Sequence, residues 1–104
     1  MKLGLLTSIL QDYTFEEAVD FAAANGLRCL EVACWPKGKA ERRYAGVSHI
    51  DVDTLSDERI AQIKEYCRSK KVEISALGYY PNTLDRDLSK REEAVSHLKK
   101  LIVA

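Results

Sequence analysis

No apolar run in this 104-residue chain comes near the about 20 residues that a membrane-crossing helix needs. Charge of either sign is not in excess, because 16 Lys and Arg balance 16 Asp and Glu. Without a basic or acidic footprint, neither nucleic acid nor an anionic membrane is expected as a partner. Cys29, Cys34 and Cys67 are odd in number and contain no C-x-x-C pair. That excludes a disulfide framework of the small secreted kind and fits buried thiols in a reducing compartment. Cys29, Cys34 and His49 lack any recognised metal-ligand spacing. The N-terminus, MKLGLLTSILQDY, has one Lys, a short apolar run and no A-x-A site, so no signal peptide is expected and the chain reads as cytoplasmic. Also missing are a G-x-S-x-G elbow, a Ser-His-Asp order, a dinucleotide fingerprint and a P-loop frame around the KGK of residues 37–39.

What is present is a strand–helix plan repeated within one small domain's length. The first unit, about residues 1–26, opens with an apolar strand at Lys2–Thr7. Thr14-Phe-Glu-Glu17 is a capping box, and Phe15, Ala18, Val19 and Ala22 share one helical face. Asn25-Gly26 stops that helix, with Leu27 the apolar residue after the stop. In the second unit, about 27–70, Arg28–Ala33 (RCLEVA) reads as a strand and Ser56 to Lys70 as a helix. Ser56 or Thr54 caps it, Asp57 and Glu58 suit its N-terminal dipole, and Ile60, Ile63 and Cys67 mark its buried face. The third unit, about 71–104, has a strand at Val72–Leu77, a turn at Gly78-Tyr-Tyr-Pro-Asn82 and a helix capped by Ser89-Lys-Arg-Glu92. Its stripe is Ala94, Val95, Leu98, Leu101 and Ile102, and His97 falls on the polar side.

Strands joined by helical crossovers run parallel. Three such units form an α/β sheet that is open at both edges, whereas parallel sheets are normally covered on both faces. A chain ending in a helix with no fourth strand is therefore expected to be part of a larger array, or to pair with copies of itself through the edges of its first and third strands.

Between the second strand and its helix lies the polar stretch CWPKGKAERRYAGVSHIDVD, residues 34–53. Connections of about twenty residues are often binding loops or lids. This one holds the only Trp, one of the two His and an Arg pair. The alternative is a surface excursion that packs Trp35 and Tyr44 onto the domain.

The ordered units, the Glu-Val of RCLEVA, the stretch CWPKGKAERRYAGVSHIDVD and the segment ISALGYYPN together resemble the N-terminal portion of the sugar phosphate isomerase/epimerase family. Its fold is the xylose isomerase-like TIM barrel, of which about three βα units of eight would be present, a (βα)3 segment incomplete as a barrel. The resemblance implies a sugar or sugar-phosphate substrate and metal-assisted proton transfer next to a carbonyl. It also implies a divalent ion (Mn, Mg, Zn or Co) in the complete barrel. The ligands and proton-moving carboxylates belong to later strands, so this chain is expected to hold no metal and to be inactive alone. By the same resemblance Trp35, His49, Tyr79, Tyr80 and Asn82 line the sugar pocket. An endonuclease-IV-like metal phosphodiesterase shares the barrel, and a non-catalytic, self-associating fragment is a further alternative.

Individual residues carry two readings each. Alternation in RCLEVA turns Leu30 and Val32 toward helices and Glu31 toward the barrel interior, where a carboxylate needs a partner or a ligand. Glu31 is thus a site candidate, or the member of an ion pair. Trp35 is a stacking plate for a sugar ring or a loop plug. Asn82 bonds hydroxyls or shapes a turn. Lys37, Lys39, Arg42 and Arg43 hold a substrate phosphate or face water, with Arg43 counted among the substrate-binding candidates. His49, between Ser48 and Asp51, is a proton carrier or metal ligand, or simply a loop histidine.

Overall fold

Alternation along the second strand decides the layering. In the computed structural model, which describes residues 1–38 and 44–104, this strand is β2, Cys29–Ala33. Leu30 and Val32 are 0 % exposed, whereas Cys29 and Glu31 on the other face are half-buried. β2 is the centre of an open, parallel, three-stranded sheet of order β1-β2-β3, with β1 at Gly4–Leu6 and β3 at Glu73–Gly78. The helices α1 (Phe15–Ala24), α2 (Asp57–Lys70) and α3 (Leu88–Val103) close one core over Leu30 and Val32. Phe15 and Val19 of α1, Ile63 and Cys67 of α2, and Leu101 of α3 belong to that core. Fully burying a side chain such as Leu30 contributes about 2–3 kcal/mol.

The opposite face is open. Leu6, Glu31 and Ala76 are in register across the three strands, and Leu6 and Ala76 are exposed. β3 shifts register between Leu30 and Glu31. Ser75 is the extra residue at that bulge, and its hydroxyl donates to the Leu30 carbonyl at 3.1 Å. The α/β class and the parallel sheet are as expected. No helix among the described residues is long and apolar enough to cross a membrane.

Local chemistry sets the helix ends. Thr14 and Glu17 form the expected capping box, the Glu17 N–H donating to Thr14 Oγ1 at 3.1 Å. At the other end Gly26 takes φ 71°, and the Leu27 N–H reaches back to the Ala22 carbonyl at 2.9 Å. Together these make a Schellman stop. Ser56 caps α2. β1 is shorter than the expected Lys2–Thr7 strand, because Thr7 leaves the ladder and enters a 3-10 turn, Thr7–Ile9.

Two expectations for α3 are corrected. Its cap is Asp87, not Ser89: the Asp87 carboxylate accepts from the Ser89 and Lys90 N–H groups at 2.9 and 3.4 Å. An aspartate two residues upstream wins because Asp85 first turns the chain, accepting from the Asp87 N–H at 2.9 Å. Asp87→Ala is therefore expected to cost about 1 kcal/mol and Ser89→Ala less than about 0.5 kcal/mol, measured by urea unfolding. Equal losses would return the cap to Ser89. The buried line of α3 runs through Ala94, His97 and Leu101, so His97 is 6 % exposed rather than on the surface, while Ile102 is 77 % exposed. The stripe is rotated because the base of the long loop gives His97 a carbonyl to bond.

Candidate functional site at the C-terminal ends of the strands

The residues singled out in the sequence gather at the C-terminal end of the sheet, but in three separate places. The first is on the open face. The Tyr80 hydroxyl donates to Glu31 Oε1, which places a carboxylate and a phenol side by side at the ends of β2 and β3. Gly78 makes room for this pair, since a Cβ there would lie 3.2 Å from Glu31 Oε1. Tyr80 is 58 % exposed, so the pair is reachable from solvent.

The second place is on the helix side. Trp35 stands edge-on to Tyr79 with ring centroids 4.9 Å apart, and Tyr79 stands edge-on to His97 at 4.7 Å. Below them His97 Nε2 bonds the Cys34 carbonyl at 2.7 Å. Trp35 and Tyr79 wall a cleft of about 440 Å³ whose other side is the turn after β3 and the start of α3, with Asn82, Asp85, Lys90 and Glu93 on its rim. Burial pushes the Tyr79 phenol up, and the nearby Glu93 charge adds to it. Asn82 takes its turn role, its Oδ1 accepting from the Leu84 N–H at 3.1 Å.

The third place is buried. His49 is 8 % exposed, its Nδ1 2.9 Å from Thr7 Oγ1 and its Nε2 2.9 Å from the Leu10 carbonyl. Thr7 Oγ1 in turn accepts from the Ala33 N–H at 2.9 Å. Both ring nitrogens are used, so His49 pins the loop, and it also lines a small cavity with Ser48, Asp51 and Thr54.

The base of the long loop is closed as well as pinned. Cys34 and Ser48 form an antiparallel bridge, the Trp35 N–H donates to Val47 at 3.2 Å and the His49 N–H to Ala33 at 2.8 Å. Lys37 pairs with Asp51 at 3.3 Å. Arg43, with Lys39 and Arg42, lies outside the described residues.

Among the described residues no three His, Cys, Asp or Glu side chains converge as a metal site. Cys34 is buried, and desolvation pushes its thiol up to about 12. Cys29, Cys34 and His49 therefore make no cluster, and Glu31 alone is one donor where a divalent ion needs several.

Sequence reasoning missed His97, Lys90 and Glu93 as parts of this end of the molecule. A signal was available: Lys90, Ala94, His97 and Leu101 lie at spacings of three and four, one face of a helix. Comparison with known proteins adds no family: no family model, no curated protein and no solved structure matches this chain.

Proposed function

We propose that this chain is the substrate-side, N-terminal (βα)3 portion of a xylose isomerase-like TIM barrel, and that the complete barrel is a sugar or sugar-phosphate isomerase or epimerase. The observation that carries the reading is the Glu31–Tyr80 pair. It sits on the sheet face that the helices leave open, which in a closed barrel is the interior, and at the strand ends where barrel enzymes keep their sites. The open parallel sheet and the resemblance of RCLEVA and ISALGYYPN support the same reading. Glu31 accepts, and Tyr80 both accepts and donates, so together they suit the vicinal hydroxyls of an open-chain sugar. Trp35 and Tyr79 wall the separate cleft on the helix side and take no part in this contact. A divalent ion in the complete barrel would supply Lewis-acid polarisation of the carbonyl. Its donors would come from strands beyond these three, and the role read here for Glu31 and Tyr80 is to bind and orient.

The test is a ¹⁵N titration of the purified chain with a ketopentose phosphate. Saturable shifts are expected at Glu31, Tyr80 and their neighbours with a Kd of about 1–10 mM, a binding energy of about 3–4 kcal/mol. Glu31→Gln is expected to weaken it about tenfold, the loss of a charge-assisted bond. With Mn²⁺ or Mg²⁺ added, no interconversion of aldose and ketose is expected from this chain by itself. Shifts confined to other regions, or none, would remove the reading.

A further inference from the structure

The cleft walled by Trp35 and Tyr79 is separate from the Glu31–Tyr80 pair, and neither member of that pair lines it. None of its lining residues lies on a strand, so neither the edges of the sheet nor its open face contribute to it. Its volume of about 440 Å³ is that of a small-molecule pocket. Both aromatic walls are held in place. The Trp35 N–H donates to the Val47 carbonyl at 3.2 Å, and Tyr79 is backed by the buried His97 with ring centroids 4.7 Å apart. The planes of Trp35 and Tyr79 meet at 81°, so the two rings make a corner.

The charges on the rim decide what enters that corner. Asp85 and Glu93 stand against one cation, Lys90, and none of the three is in an ion pair among the described residues. Asp85 is partly committed: its Oδ1 accepts from the Asp87 N–H, and the Arg91 guanidinium lies against its backbone carbonyl. Glu93 is the charge that reaches the rings. It raises the Tyr79 phenol, and no cation among the described residues opposes it there. Its field adds to the negative faces of the rings themselves. A phosphate is repelled by such a corner, and a cation is attracted. A bare ammonium is strongly hydrated and would need several acceptors. Alkyl groups on the nitrogen instead suit a lining of Trp35, Tyr79, Pro36 and Pro81.

We propose that this cleft binds a small organic cation with an N-alkylated ammonium group, seated in the corner of Trp35 and Tyr79 with Glu93 as its counter-charge. The proposal rests on the cleft alone, and stands or falls separately from the isomerase reading.

Trp35 is the only tryptophan, so its fluorescence reports the corner directly. Titration of the purified chain with choline should change that emission saturably. The neutral alcohol in which carbon replaces the choline nitrogen should bind about tenfold more weakly, because it keeps the shape and loses the cation–π contact. Glu93→Gln, at an exposed position, should weaken choline about threefold and leave the alcohol unchanged. Glu92→Gln, one residue away and outside the cleft, should change neither. No saturable response to choline, equal affinity for the neutral alcohol, equal losses for the two glutamine variants, or a Trp35 response to the ketopentose phosphate in place of choline would overturn the proposal.

Discussion

His97→Ala is expected to lower the unfolding free energy by about 3 kcal/mol, and His97→Leu by about 2 kcal/mol. The ring is 6 % exposed and is the donor to the Cys34 carbonyl at 2.7 Å. Leucine keeps most of the volume but leaves that carbonyl buried without a donor, which costs about 1–3 kcal/mol. Alanine adds a cavity beside Tyr79 and loses the edge-on ring contact. His97→Gln, which keeps an N–H of similar reach, should recover part of the loss. The total stability of such a domain is about 5–15 kcal/mol, so the alanine variant loses a sizeable share of it. Urea unfolding followed through Trp35, the only tryptophan, reports the change next to its cause. A loss below about 0.5 kcal/mol for His97→Leu would mean that the Cys34 carbonyl finds water instead.

What could be read from the chain alone was what is local. α1 needed nothing beyond Thr14, Glu17, Gly26 and one apolar face, and its cap and stop are where those residues put them. Leu30 and Val32 face the helices and Glu31 the open side because side chains along a strand alternate. The two errors in α3 differ in kind, one from a competing local turn and one from a long-range partner. Ser89 and Glu92 make a good capping box in isolation, but Asp85 and Asp87 together turn the chain two residues earlier. Arg91 then holds that turn through the Asp85 carbonyl at 2.9 and 3.1 Å. His97 looked polar and exposed because its partner, the Cys34 carbonyl, is 63 residues away in sequence. Trp35, Tyr79, Tyr80 and Asn82 were placed at the correct end of the sheet. Their division between two faces could not be read, since it depends on which way Tyr79 and Tyr80 turn after β3 ends.

The largest single effect outside α3 is expected at Thr7. Thr7→Val should cost about 3 kcal/mol, although it exchanges a hydroxyl for a methyl of nearly the same size. A carbonyl only accepts, so the 2.9 Å contact to Leu10 fixes the proton of His49 on Nε2. Nδ1 and the Thr7 hydroxyl then share the second hydrogen bond, 2.9 Å long. The same oxygen accepts from the Ala33 N–H at 2.9 Å. Valine leaves two buried groups unpaired at once, the Ala33 N–H and His49 Nδ1, each worth about 1–3 kcal/mol. Thr7→Ser keeps the hydroxyl and should lose less than about 1.5 kcal/mol, the packing of one methyl. His49→Phe should cost a similar amount to Thr7→Val, and the double variant less than their sum, by about 1 kcal/mol or more, because both remove the same relay. Additive losses would show two independent contacts, and a Thr7→Val protein as stable as the parent would mean that the loop is held at Cys34–Ser48 without its histidine.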